Sequence, residues 1–274
     1  MELADELSKS APKSGYSQVL QAEALSTWRL SQEGAPLEVR NRVFSLADEA
    51  LRLNPKLAQA HVSKARALVR ASMYDKAKLS IDAALAMEPS LSGALFLRAE
   101  VFRRLGAIAD ADLWYRNFID STASKSRKAN GYGWIGTMYQ HASWNDDANR
   151  AEYVAKARAA YEEMLKYEPG GAWRNVNFAI FLNEYASDFD AAEHYATKAL
   201  GMMEFPMARY HLAAARYQKL AATSSSMSSP EVRNAAKKIA ESTKVSLQEA
   251  IAFDAFSQRL VGRLSLLQQR IAAR

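Results

Sequence analysis

The strongest constraint in this chain is a distance. Pro55 and Pro89 stand 34 residues apart, and the segments around them repeat each other: Ala65 and Ala99, Ala77 and Ala111, and Ile81 and Tyr115 are separated by the same 34 residues. A period of this length, carrying small and bulky apolar residues in fixed order, belongs to stacked helical hairpins. One hairpin cannot cover its own apolar face, so its neighbours must cover it and the chain propagates as an open solenoid. Side chains at one repeat position then collect on one surface, and that surface is available for binding.

Composition supports helix and removes other architectures. Only 11 glycines and 7 prolines interrupt 274 residues, and alanine, the best helix former, is abundant. No apolar run reaches the roughly 18 residues that a membrane-spanning helix needs. There is no cysteine, which excludes disulfides and thiolate chemistry. The polar start MELADELSKSAPKSG lacks the apolar stretch of a secretory leader, which favours a cytoplasmic protein. A periplasmic protein whose leader has been removed would show the same start.

The chain divides in three. Residues 1–14 read as a flexible tail, rich in Ser, Lys and Pro and without periodicity. A helix is expected from Tyr16 to about Leu30, and Gly34, Ala35 and Pro36 break it. The next helix carries Val39, Val43, Leu46, Ala50 and Leu53 at spacings of three and four, and Asn54-Pro55 ends it.

At Ala58–Leu91 the pattern resembles a tetratricopeptide repeat. That family places small residues at positions 8, 20 and 27, an aromatic or aliphatic residue at 24 and proline at 32; Ala65, Ala77, Ala84, Ile81 and Pro89 fill them in phase. The next unit, Ser92–Lys125, matches through Leu95, Ala99, Phe102, Gly106, Ala111 and Tyr115, with Phe118 in place of the small residue at 27. Small residues at these positions let helices approach to about 8–10 Å. A third unit shows Tyr132, Ile135, Gly136 and Tyr139, then Ala157, Tyr161 and Pro169. Pro89 and Pro169 are 80 residues apart, which is 12 more than two periods. Three extra residues are assigned to Ser124–Lys128 and nine to His141–Lys156, as a lengthened turn or extended helix end. A fourth unit carries Phe178, Ala179, Leu182, Ala192, Tyr195 and Ala199; the first helix of a fifth carries Tyr210, Ala213, Ala214 and Tyr217. Lys64 and Arg98 depart from the leucine usual at position 7, and their aliphatic stems allow them to tilt outward.

The resemblance implies an all-α fold, a right-handed α-solenoid of about five tetratricopeptide-like hairpins over residues 15–223, the first and last degenerate. Residues 224–274 are expected to form a linker and C-terminal capping helices, the last with an apolar stripe of Phe256, Leu260, Leu264, Leu267 and Ile271 beside an arginine stripe of Arg259, Arg263, Arg270 and Arg274.

Chemistry is not visible in the sequence. His61, His141, His194 and His211 fall in different hairpins without metal-ligand spacing, no glycine-rich phosphate loop follows a strand, and no serine sits in a nucleophile elbow. Asn145-Asp146-Asp147 lacks the glycine and distal glutamate of a calcium loop. The expectation is therefore a non-enzymatic protein, without cofactor or metal, that binds a protein or peptide partner.

In the tetratricopeptide family the concave groove is lined by positions 2, 5, 6, 9, 12 and 13 of each unit. Carried onto this chain, the resemblance implies a partner-binding groove containing Arg66, Arg70, Phe96, Arg103 and Arg104 in one half and Trp134, His141, Trp173 and Asn177 in the other. It also draws in His211 and Gln218 of the fifth unit. Arginine forks suit acidic groups and aromatic rings supply contact area. The carboxylate clamp that some family members use is absent, because position 5 holds Val62, Phe96 and Val176 and position 9 holds Arg66, Glu100 and Ile180. The alternative is a nucleic-acid-binding helical repeat: residues 58–128 carry a net charge of +5 and residues 223–274 of +4. The net −2 of residues 129–222 interrupts the basic track that phosphate binding favours.

Overall fold

The computed structural model of the protein describes residues 6, 9–11, 13–28, 37–224, 229–253 and 258–272. The expected break at residues 34–36, residues 225–228 of the connector, Phe256 and Arg274 lie outside them, as do the side chains of Arg259, Leu260 and Arg263. Every regular element among the described residues is helical. The chain forms two compact units, Met1–Ala123 and Ser124–Arg274.

Unit 1 contains α1 (Tyr16–Trp28), α2 (Leu37–Leu53), α3 (Ala58–Arg70), α4 (Tyr74–Met87), α5 (Ser92–Arg104) and α6 (Ile108–Asp120). Consecutive helices pack as hairpins, and α3 also packs on α5, first helix against first helix. The repeat positions become the core: Ala65, Ala77, Ile81, Ala84, Ala99, Ala111 and Tyr115 are fully buried. Phe118, in place of the expected small residue, is buried and meets Phe96 edge-on at 6.2 Å. Even the turns repeat. The amide of Met73 bonds the Leu68 carbonyl and that of Ala107 bonds the Phe102 carbonyl, closing α3 and α5 in the same way. The residue at the apex is Ser72 (φ 58°) in one turn and Gly106 (φ 77°) in the next, both left-handed.

Lys64 and Arg98 find their explanation here. Lys64 pairs with Asp48 at 2.7 Å, and Arg98 pairs with Asp82. Both pairs span 16 residues, and one lies a full period after the other. Each cation thus reaches back to the second helix of the preceding hairpin while its stem covers apolar surface. Arg98 also lies over the Trp114 ring, 4.8 Å from its centre.

Unit 2 contains α7 (Lys125–Asn145), α8 (Arg150–Tyr167), α9 (Ala172–Phe181), α10 (Phe189–Met202), α11 (Pro206–Thr223), α12 (Ser229–Thr243), α13 (Leu247–Phe253) and α14 (Gln258–Ala272). The extra residues foreseen at His141–Lys156 lengthen both helices of the third hairpin, α7 to 21 residues and α8 to 18, leaving a short turn between them. The insertion near Ser124–Lys128 becomes the first turn of α7, with the Ser124 hydroxyl accepting the Arg127 amide. After α9 the backbone widens into a π-turn, Leu182–Ala186, that ends at Ser187 (φ 53°); Asp188 then caps α10 by accepting the Ala191 amide.

The C-terminal stripe packs where it is described. Leu264 and Leu267 are fully buried in one cluster with Tyr217, Val232 and Ala250, and Ile271 packs against it. Arg270 does not join an outward basic stripe. Its guanidinium donates to the Ala221 carbonyl at 3.1 Å and the Ser224 hydroxyl at 2.6 Å, satisfying the end of α11 where a cation is favoured.

Candidate functional site

The residues expected in one groove fall into two concavities, one in each unit. In unit 1, α3 and α5 bound a concavity of about 310 Å³. Arg66 and Arg70 stand one turn apart on α3, and Arg104 occupies on α5 the repeat position that Arg70 holds on α3. Val69, Leu97 and Phe96 supply the apolar part of the lining, the first two buried and Phe96 partly exposed. Partial desolvation, then the neighbouring guanidiniums of Arg66 and Arg104, push the Arg70 pKa down. The positive charges here stand against each other.

Glu100, on the same wall, is already engaged. Arg103 donates to both of its carboxylate oxygens at 2.9 Å, the Tyr115 hydroxyl donates to one of them, and Arg104 lies 3.8 Å away. Burial alone would raise the Glu100 pKa. The bonds from Arg103 and Tyr115, with the charges of Arg103 and Arg104, outweigh burial and hold the carboxyl below its usual range. Arg103 is therefore spent inside the fold, while Arg66, Arg70 and Arg104 line the concavity.

In unit 2 a larger concavity, about 530 Å³, lies among α7, α8 and α9. Trp134, Trp173 and Asn177 meet here, with Tyr161, Met164 and Met203. Glycines on α7 let α8 pack close against it. A Cβ on Gly133 would come within 3.1 Å of the Met164 sulfur, and one on Gly136 within 3.0 Å of the Tyr161 ring. Tyr161 is fixed by donating to Gln140 Oε1 at 2.8 Å, and burial pushes its pKa up to about 12. Trp173 is 56% exposed at the rim and meets Phe205 edge-on at 5.4 Å. The cation of this concavity, Arg174, is committed to Glu168 and to Asn130 Oδ1 at 3.1 Å, so the walls are aromatic and amide rather than basic. His141, further along α7, is exposed and lines neither concavity.

Two residues assigned to the groove by repeat position are core. His211 and Gln218 are buried on α11, with Phe253 of α13 lying 6.1 Å from the His211 ring. Burial pushes the His211 pKa down to about 4. Asn183 of the π-turn donates to the His211 carbonyl at 2.9 Å. Sequence reasoning missed this because repeat numbering cannot see that the C-terminal helices fold back over α11.

No protein-family model matches the sequence, and no curated protein matches it. Solved structures do. The chain resembles Pseudomonas aeruginosa PilF at TM-score 0.59, with 12% identity over 96% of this chain and 99% of that one. It resembles human IFIT1, solved as a dimer with PPP-AAAA, at TM-score 0.56 and 15% identity, over 98% of this chain and 65% of that one. Both are tetratricopeptide-repeat proteins. The fold is tetratricopeptide-repeat-like. YrrB, described as a TPR protein with an unusual peptide-binding site, superposes with TM-score 0.46 and 15% identity over 75% of this chain and 94% of that one. At these identities the likeness of the tetratricopeptide-repeat neighbours is one of fold. Among the described residues no helix is long and apolar enough to cross a membrane, and no group of three or more acidic or histidine side chains could hold a metal ion.

Proposed function

We propose that this protein is a non-enzymatic interaction scaffold that binds a partner protein or peptide through these two concavities. Acidic groups of the partner meet Arg66, Arg70 and Arg104 in unit 1, and apolar groups meet Trp134 and Trp173 in unit 2. The observation that carries the reading is Trp173. A tryptophan that touches the fold edge-on at Phe205 and is left 56% exposed at the rim of a concavity offers contact area to a partner, and such rings anchor interfaces.

Affinity capture from the native organism with wild-type protein, R70E and W173A, followed by surface plasmon resonance on the captured partner, tests this. R70E is expected to slow association and lower its salt dependence, because rim charges steer encounter. W173A is expected mainly to speed dissociation. The reading fails if neither variant alters binding while substitutions on the outer second helices do, at Leu79 (72% exposed) and Leu113 (54% exposed).

A further inference from the structure

The unit 2 concavity combines rings with amides in a regular order. Asn130 and Trp173 hold one repeat position on α7 and α9, and Trp134 and Asn177 hold another. Both pairs are 43 residues apart, one period plus the nine inserted residues. Each wall therefore carries one indole and one amide, in opposite order along the two helices. Asn130, Trp173 and Asn177 are exposed. Their polar groups favour donation. An indole N–H can only donate. Asn130 Oδ1 accepts from Arg174 at 3.1 Å, so its nitrogen is what remains to meet a ligand, and Asn177 offers a second amide nitrogen. The Thr137 and Tyr161 hydroxyls are tied to each other at 3.2 Å and to the Gly133 carbonyl and Gln140 Oε1. Arg174 is paired with Glu168.

We propose that this concavity docks a proline-rich segment of the partner in the polyproline II conformation. Its prolines pack on Trp134 and Trp173, and its backbone carbonyls accept from Asn130 and Asn177. The inference rests on the reading of this concavity as a partner site and names what the partner must carry. A polyproline II segment has no internal backbone hydrogen bonds, so its carbonyls are available to donors, and its prolines have no N–H that would need an acceptor. Proline-rich segments dock in aromatic-lined grooves, and their fixed φ lowers the cost of ordering on binding. Other modes of peptide recognition fit less well. Strand addition needs a sheet edge, and every regular element among the described residues is helical. A docked helix has bonded its carbonyls internally and would cover the two amides without partnering them.

Titration of capped hexaproline into protein labelled at its five indole nitrogens, followed by NMR, tests the site without a known partner. The Trp134 and Trp173 signals are expected to shift along one binding curve, while the signal of Trp114, which lies against Arg98 in unit 1, stays in place. A capped glycine-serine peptide of the same length should bind about tenfold more weakly or worse, since it lacks the rings and is not preordered. W173A should weaken hexaproline binding about tenfold or more. N177L, which keeps the bulk and removes the amide, should weaken it about three- to tenfold. L113A, on the exposed face of α6, should leave it within about twofold. Circular dichroism establishes that each variant is folded.

Hexaproline that leaves the Trp134 and Trp173 signals unmoved up to the millimolar range, or that binds W173A and N177L as well as wild type, overturns the proposal. Equal affinity for the glycine-serine peptide does the same. So does a single-stranded oligoribonucleotide that moves the same two signals at lower concentration than hexaproline, because bases would then be what the rings stack on. The two readings fail separately. A captured partner that needs Trp173 but binds through a segment without proline, while hexaproline is silent, removes the proline site alone. Hexaproline binding with captured partners that ignore Trp173 removes the interaction groove and leaves the proline site.

Discussion

Units 1 and 2 are written in the same 34-residue grammar and filled with different chemistry. The interior of unit 1 is largely aliphatic and small, with Val62, Ala65, Leu68, Ala77 and Ile81 in one cluster. Its charges are organised by the repeat, as the Lys64–Asp48 and Arg98–Asp82 pairs and the arginine-lined concavity demonstrate. Unit 2 places Ile135 and Phe178 where unit 1 has Lys64 and Arg98, and both are buried. Its interior is a chain of rings: Phe178 contacts Tyr161, Phe181 and Tyr195 at centroid distances of 5.7, 6.2 and 4.7 Å. The comparison teaches that the solenoid constrains only the positions where helices cross. The remaining positions are free to become an ion-pair ladder in one unit and an aromatic core in the other.

The contrast breaks most visibly at Phe178. Phe178→Ala empties the centre of the aromatic chain and should cost about 3–5 kcal/mol. Hydrogen exchange should report lost protection across residues 124–274 and much less change before residue 123. Uniform loss over both units would mean that they unfold as one and that the division has no energetic meaning.

Acid should separate the units next. His211 has its pKa pushed down to about 4 by burial, from an ordinary 6.5. The unfolded chain therefore takes up this proton before the folded one does. The stability of unit 2 should be complete above about pH 6.5 and fall as the pH drops toward about 4, by on the order of 3 kcal/mol. In unit 1 His61 is only partly buried, its pKa lowered by burial and by Lys64, so the effect there should be smaller. Urea unfolding at stepped pH, followed by exchange in each unit, checks the order; H211L should flatten the slope. A slope unchanged in H211L would assign the acid sensitivity elsewhere.

Ala77→Leu probes the close crossing in unit 1. Ala77 is fully buried against a core of Val62, Ile81 and Ala84, so the added carbons have no space and should cost about 1–3 kcal/mol. Unchanged thermal stability would show that α4 can move away from α3, and that the small-residue rule is loose in this unit.

The smallest effect concerns the ladder. Surface ion pairs contribute about 0–1 kcal/mol. Lys64→Ala should fall near the bottom of that range and Arg98→Ala near the top, because Arg98 is the less exposed of the two and also covers Trp114. A double-mutant cycle with Asp82 would isolate the pair from the ring contact. Equal losses at both sites would remove the cation–π contribution.

Much of the fold was legible. The period, the prolines and the small residues at Ala65, Ala77, Ala99 and Ala111 are local and repeat, so they announce themselves in one dimension. Part of the site was legible for the same reason: Arg66, Arg70, Phe96 and Arg104 share a concavity because they come from equivalent helices, and so do Trp134, Trp173 and Asn177. Arg103 shows where that logic stops. Its repeat position does not reveal that Glu100, three residues before it, will hold two of its three guanidinium nitrogens. The widened turn at Leu182–Ala186 carries no proline or glycine to mark it.

The sequence by itself determined that this chain is helical, repeating and built of stacked hairpins. Those properties follow from backbone propensity and from apolar residues at fixed spacing, and both act between near neighbours. Only the tertiary structure decided that the arginines and the tryptophans occupy separate concavities, that Arg174 and Arg103 are consumed by internal carboxylates, and that His211 and Gln218 are covered. Charge pairing and desolvation depend on what approaches a side chain from other elements. For His211 that includes α13, which arrives from more than thirty residues further along the chain.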